Sequence, residues 1–243
     1  MHGRVRLCDG HGTRLRVLLA AACVSSVNDG MKTALILVAM AFSTATALPA
    51  AEGAPIPLFN GRDLSGWTFD VRTDADPHSI WSVKDGLLVC RGKPAGVIRT
   101  ESDYGDYELT LEWRWAPGTQ GGNSGCLIHC SQPRELDIWP KSIEVQLGKD
   151  NAGDFWVIGE TIEVSAERKP AKGRRILNLT DGSEKPVGEW NTMRIRCDGN
   201  SVTVWVNGDK VNEGTQCSVS KGAICLQSEG AEIHFRKVEL QPI

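Results

Sequence analysis

From residue 58 onward the chain alternates hydrophobic and polar residues in short runs broken by turn residues. Tyr107 to Trp115 is the cleanest case: Leu109, Leu111, Trp113 and Trp115 fall on one side, and Glu108, Thr110, Glu112 and Arg114 on the other. A sustained period of two predicts a half-buried strand. Ser142 to Gly148 repeats it, with Ile143, Val145 and Leu147 opposite Glu144 and Gln146. Trp81 to Cys90 predicts two strands around Asp85-Gly86, a dipeptide that tolerates the left-handed backbone of a tight hairpin. Further strands are expected at 191–197, 201–206, 223–227 and 231–240, with Asp198-Gly199-Asn200 and Asn207-Gly208 as turns. No amphipathic pattern exceeds two helical turns, and no fixed-period repeat suggests a propeller. The pattern predicts an all-β, two-sheet antiparallel sandwich or barrel.

The first 47 residues break this pattern. Met31-Lys32 precedes the apolar run 33–42, and Ala45-Thr46-Ala47 supplies a small-x-small end. These are the parts of a secretory signal peptide over 31–47, with Met31 as the expected start. The apolar run is short for a membrane span. A rival leader runs from the arginines at 4, 6, 14 and 16 through Val17–Ala22 to Cys23, like a lipoprotein acceptor. Residues 48–55 have linker composition, leaving one domain over 56–243 and no membrane span in the mature chain. The expected location is periplasmic or extracellular.

The chain has 243 residues and a formal net charge of −3. The leader carries Arg4, Arg6, Arg14, Arg16 and Lys32 against only Asp9 and Asp29, so the remainder is more acidic still. A nucleic-acid binder that works by neutralising phosphates is therefore not expected. Cys90, Cys126, Cys130, Cys197, Cys217 and Cys225 follow the leader. An even count in an exported chain permits disulfides, and small buried hydrophobes are the alternative; both stay open. Regular alternation puts Cys126 and Cys130 on one strand face roughly 13 Å apart, too far to bridge. It also turns both away from His129, which argues against a shared zinc ion.

The polar strand faces carry the candidate chemistry. Glu112, Arg114, His129, Glu144 and Gln146 all lie on strands; if those strands are neighbours, they form one polar face suited to a hydroxyl-rich ligand such as a sugar. Trp139 and Trp156, near Pro140 and Gly153, are the sugar-stacking candidates, whereas Trp113, Trp115 and Trp205 read as core. The basic stretch Lys169 to Arg175 reads as a solvated loop. Glu135-Leu-Asp-Ile-Trp139 lacks the third acid of a β-glucanase strand, because position 140 is proline.

Several motifs in order resemble one family. Leu58-Phe-Asn-Gly-Arg-Asp-Leu-Ser-Gly-Trp67, Trp81-Ser-Val-Lys-Asp-Gly-Leu-Leu88, Gly122-Asn-Ser-Gly125, Ser142-Ile-Glu-Val-Gln146, Gly188-Glu-Trp-Asn191, Val206-Asn-Gly208, Leu226-Gln-Ser-Glu-Gly230 and Phe235-Arg236 are similar to the 3-keto-disaccharide hydrolase family, formerly a domain of unknown function. The resemblance spans residues 56–243 and implies a concanavalin A-like jelly roll of the lectin and glucanase type, with the site on its concave sheet.

It also implies a hydrolase acting on glycosides oxidised to a ketone at C3. Such a ketone acidifies the C2 proton, so a base, a group that stabilises the C3 oxygen and a proton donor for the leaving oxygen are required. Glu144 is the expected base, with His129 and Glu112 completing the catalytic cluster. Arg114 or a divalent cation would polarise the ketone, and His129 is acid or metal ligand. Gln146, Gln227, Glu229, Trp139 and Trp156 would bind substrate. Two positions depart from the family pattern: Gly148 stands where an acid is common and Glu229 where a histidine is common. The rival reading is a non-catalytic carbohydrate-binding module of the same fold.

Overall fold

The computed structural model describes residues 53–169 and 172–243. The expected signal peptide and most of the 48–55 linker lie outside the described residues. In chain order the strands are β1 (Ile56–Pro57), β2 (Trp67–Val71), β3 (Trp81–Lys84), β4 (Leu87–Cys90), β5 (Gly96–Thr100), β6 (Tyr107–Trp115), β7 (Gly125–Cys130) and β8 (Ser142–Gln146). They continue as β9 (Phe155–Ile158), β10 (Arg175–Ile176), β11 (Asn191–Asp198), β12 (Ser201–Val206), β13 (Asp209–Gly214), β14 (Ala223–Ser228) and β15 (Ile233–Pro242). Two short 3-10 turns, at Pro77–Ser79 and Ala166–Arg168, are the helical elements among the described residues. None is long and apolar enough to cross a membrane.

The strands form two antiparallel sheets, the jelly-roll sandwich that the alternation predicts. The back sheet runs β13-β12-β11-β6-β15-β4-β3, with β1 paired to β15. The front sheet runs β10-β9-β8-β7-β14-β5-β2. Asp85-Gly86 and Asn207-Gly208 close the β3–β4 and β12–β13 hairpins, all four residues with positive φ. Between the sheets, Tyr107, Leu109, Leu111, Trp113 and Trp115 of β6 meet Ile98, Ile128, Ile143, Val145, Phe155 and Leu226 of the front sheet. Trp205 departs from expectation. Val202, Val204 and Val206 take the buried phase of β12, so Trp205 lies half-buried on the outer face, with the Arg194 guanidinium 4.2 Å from its ring centroid.

The front sheet is buried on both faces along β7, β8 and β14. Its outer face carries a second, smaller core in which Val97, Leu127, Cys130, Ala223, Cys225 and Ile158 pack beneath Ile138 and Trp139. The last two belong to the β7–β8 connection, residues 131–141, folded back over the sheet.

Strand β7 is not regular. His129 has φ +54°, and the register with β14 shifts between Ala223 and Cys225. This bulge puts Ile128 and His129 on the inner side in succession and turns Cys130 outward. Regular alternation therefore fails for the two cysteines: Cys126 lies in the inter-sheet core and Cys130 in the outer one. All six described cysteines are free and buried, which is the small-hydrophobe alternative.

Candidate active site

The outer face of the front sheet assembles the only expected glutamate that lies on it by strand alternation, Glu144. On β8 it stands opposite Leu127 of β7 and Trp156 of β9. Glu144 is 4% exposed and Gln227, on β14, 1%. Gly125 lies between them: a Cβ there would stand 2.5 Å from Glu144 Oε1 and 2.9 Å from Gln227 Oε1. The missing side chain is what allows the carboxyl and the amide to close over β7. Gln227 Oε1 is buried without a hydrogen-bond partner.

Burial pushes the Glu144 carboxyl up to about 8, and the charge of Glu229 adds to this; Arg174 and the Gln227 side chain pull it the other way. Glu144 is thus mostly protonated at neutral pH. Glu229, in the turn after β14, is also raised by burial, while Arg174 and Arg72 draw it down. Both carboxyls are thus raised by burial, with Arg174 opposing the shift in each and Arg72 opposing it in Glu229 as well.

Trp156 is half-exposed beside this pair. The guanidinium carbons of Arg174 and Arg175 lie 4.8 and 5.5 Å from its ring centroid. Arg175 is neutralised by Asp154 at 2.6 Å. Arg174 and Arg175 of the basic stretch are therefore not merely solvated: Arg174, just before β10, lies over Trp156, and its Nη1 is buried without a hydrogen-bond partner. Arg72 and Arg174 are the neighbouring charges the sequence did not single out; for Arg174 the available signal was a basic run leading into the strand that pairs with Trp156.

At the other end, the 131–141 connection is tied to the β2 edge by two reciprocal ion pairs. Arg134 meets Asp70 at 2.6 Å, and Arg72 meets Asp137. Asp70, Val97, Arg99 and Cys130 of the sheet and Ser131, Gln132, Pro133 and Pro140 of the connection enclose a cavity of about 300 Å³.

Other expected site residues lie elsewhere. Glu112 and Arg114 sit on β6, in the back sheet, and face outward from it. Glu112 pairs with Arg236, and Arg114 stacks on Trp190 at 4.6 Å. The expected common face fails because β6 and β8 join different sheets. His129 is turned inward by the bulge, 1% exposed, its ring edge-on to Tyr107 at 5.7 Å. Burial lowers its pKa, so it stays neutral in the core and away from a substrate. Gln146 Oε1 accepts from the backbone N–H of Leu147 and of Gly148, at 3.0 and 2.9 Å, capping the strand end and leaving its amide nitrogen for a ligand. Trp139 is 7% exposed and packs on the outer core, so it is floor and wall, not an open stacking platform. Among the described residues no three His, Cys, Asp or Glu side chains converge as a metal site.

Solved structures share this fold. A protein of Parabacteroides distasonis provisionally designated a glycosyl hydrolase is 26% identical, with 79% of this chain and 100% of that one covered and a TM-score of 0.56. A second from the same organism is 22% identical over 78% and 94% of the two chains, with a TM-score of 0.58. The endo-β-1,3(4)-glucanase SCLam, from family GH16, is 13% identical over 81% and 93%, with a TM-score of 0.53. No curated protein matches the chain. The family described as the 3-keto-α-glucoside-1,2-lyase-like domain matches residues 54–241. The protein is a carbohydrate-active, glycosyl-hydrolase-like domain, and the chain belongs to that family.

Proposed function

We propose that the protein is an exported enzyme that cleaves 3-keto-glycosides by elimination followed by hydration. The observation that carries the reading is the buried Glu144 on the outer face of the front sheet, its carboxyl raised to about 8, with Glu229 in the turn after β14 drawn down by the charges of Arg174 and Arg72.

A ketone at C3 makes the C2–H bond acidic. Glu229, ionised, takes that proton; the bond pair becomes the C2–C3 double bond and the C3 oxygen becomes anionic. When the enolate collapses, the C1–O bond breaks and Glu144 gives its proton to the departing oxygen. Water then adds across the enone: its oxygen bonds C1 as the Glu144 carboxylate takes one of its protons, and Glu229 returns its proton to C2, restoring both groups. Glu144 thus acts as acid, where the sequence alone suggested a base, because a carboxyl raised to about 8 is a poor base at neutral pH. Trp156 supplies an apolar ring for a sugar face, and Gln227 Oε1 an unpaired acceptor for a hydroxyl.

Export rests on the 31–47 leader, and the mature chain would begin near Leu48. The test is incubation of the full protein with 4-nitrophenyl 3-keto-glucoside, with and without EDTA, following nitrophenol. Nitrophenol release is expected. Binding of unoxidised glycans with no release would instead indicate a carbohydrate-binding module.

A further inference from the structure

With Arg114 on the back sheet, nothing assigned so far meets the negative charge that develops on the C3 oxygen. Arg174 is the group at the site whose own chemistry is unspent. Its neighbour Arg175 is paired with Asp154 at 2.6 Å, and Arg72 is paired with Asp137. Arg174 has no carboxylate within ion-pair distance among the described residues, and its Nη1 is buried and unbonded. Its guanidinium lies over the Trp156 ring, 4.8 Å from the centroid, which holds the planar fork in one orientation and keeps water off one side. Gln227 Oε1 is likewise buried and unbonded. A buried donor and a buried acceptor left without partners are the groups that the oxygens of a bound ligand would satisfy. Trp156, which Arg174 covers, stands opposite Glu144 in the β8–β9 ladder, so the guanidinium borders the strand position of that carboxyl.

We infer that Arg174 is a catalytic residue that donates from Nη1 to the C3 oxygen of the substrate and holds the negative charge formed there when C2 loses its proton. This rests on the reaction proposed above. The C2–H bond breaks, its proton passes to Glu229, its electron pair forms the C2–C3 double bond, and the carbonyl π pair moves onto the C3 oxygen under the guanidinium. The same pair returns as the C1–O bond breaks and Glu144 protonates the leaving oxygen. Such a donor acts on a charge present only in the enolate, so it affects kcat more than KM.

Two readouts test this on the full protein, with R174M and R174K each checked for wild-type melting. With 4-nitrophenyl 3-keto-glucoside, R174M should lose roughly 100-fold or more in kcat with KM changed less than about tenfold. R174K, with the charge but not the fork, should fall between, and added methylguanidine should restore part of the R174M rate. The second readout is calorimetric binding of L-ascorbate, a hydroxyl-bearing enediolate anion, with D-glucose as the neutral control. Ascorbate should bind wild type and bind R174M at least about tenfold more weakly, with glucose unaffected. Unchanged kcat in R174M overturns the inference. So does ascorbate binding that survives R174M, or that is absent from wild type. A wild type that releases no nitrophenol but binds ascorbate through Arg174 overturns the proposed reaction and leaves the anion site standing.

Discussion

Gly125 and Glu144 are apposed so closely that a single added methyl group on the glycine would stand 2.5 Å from Oε1 of the acid and 2.8 Å from its Cγ. The contact is between neighbouring strands, so neither backbone can step aside without breaking the β7–β8 ladder. Gly125→Ala is expected to displace the carboxyl. Kinetics should show at least a tenfold fall in kcat/KM, and melting an overpacking cost of about 1–3 kcal/mol. Wild-type turnover in this variant would mean that the position of Glu144 does not matter.

The protonated state of Glu144 costs stability as pH rises towards 8 and activity as pH rises beyond it. Turnover should decline as pH passes about 8, where the proposed acid loses its proton. For stability, the folded carboxyl holds its proton to about 8 and the unfolded one releases it near 4.5. The unfolded state therefore binds fewer protons between these limits, and stability is lost as pH rises through the window. Glu184, raised to about 7 by burial, acts in the same direction. Denaturant titrations should show Glu144→Gln gaining on wild type from pH 5 to 8, by up to a few kcal/mol.

Glu144→Gln also separates acid from base. The amide keeps shape and a hydrogen-bond donor but has no proton to give. With a 4-nitrophenyl leaving group, which departs as a stable anion, the variant should retain much more activity than with an alkyl glycoside. Glu229→Gln should lose both alike, since C2 deprotonation precedes either departure. Equal losses for the two leaving groups in Glu144→Gln would remove the acid role.

The reciprocal pairs Arg134–Asp70 and Arg72–Asp137 involve side chains that are substantially exposed, so their net contribution to stability is small, about 0–1 kcal/mol each. Their expected effect is local. The double variant Asp70→Asn/Asp137→Asn should melt within a few degrees of wild type while amides of residues 131–141 exchange faster and KM rises. Unchanged exchange would show that Ile138 and Trp139 alone hold the connection down.

Thiol titration follows from the same packing. Cys90, Cys126, Cys130, Cys197, Cys217 and Cys225 are buried and free. They should resist alkylation in the native protein and react without prior reduction once it is unfolded. A reductant requirement would show that exported material carries disulfides.

What the sequence made legible was whatever depends on a strand and its immediate turn. The buried phase of β6 and the hairpins at Asp85-Gly86 and Asn207-Gly208 need only local chemistry, and they are as expected. The site was legible in part. Glu144, Gln227 and Glu229 lie in two of the motifs that carry the resemblance, and Trp156 was a stacking candidate from its place near Gly153. Glu112 and Arg114 fail for a physical reason: a period of two tells which residues share one side of a strand and nothing about which sheet the strand enters. β7 fails differently. Gly-Cys-Leu-Ile-His-Cys is apolar on both phases because loop 131–141 covers the outer face, so no alternation remained to betray the bulge. Arg174 was hidden by its company, since three other basic residues in the same stretch suggested solvation.

The bulge in β7 has a mechanical meaning as well. One ribbon of six residues belongs to two separate interiors, with Cys126, Ile128 and His129 locked against the opposite sheet and Leu127 and Cys130 packed beneath Ile138 and Trp139 on the outer face. A disturbance around Tyr107, on the far side of the molecule's middle, therefore has a rigid lever to the floor under Glu144. Excising His129 would reverse that lever: Cys130 would swing inward, the floor would lose its fill, and the active face would sag although no residue in contact with substrate had changed.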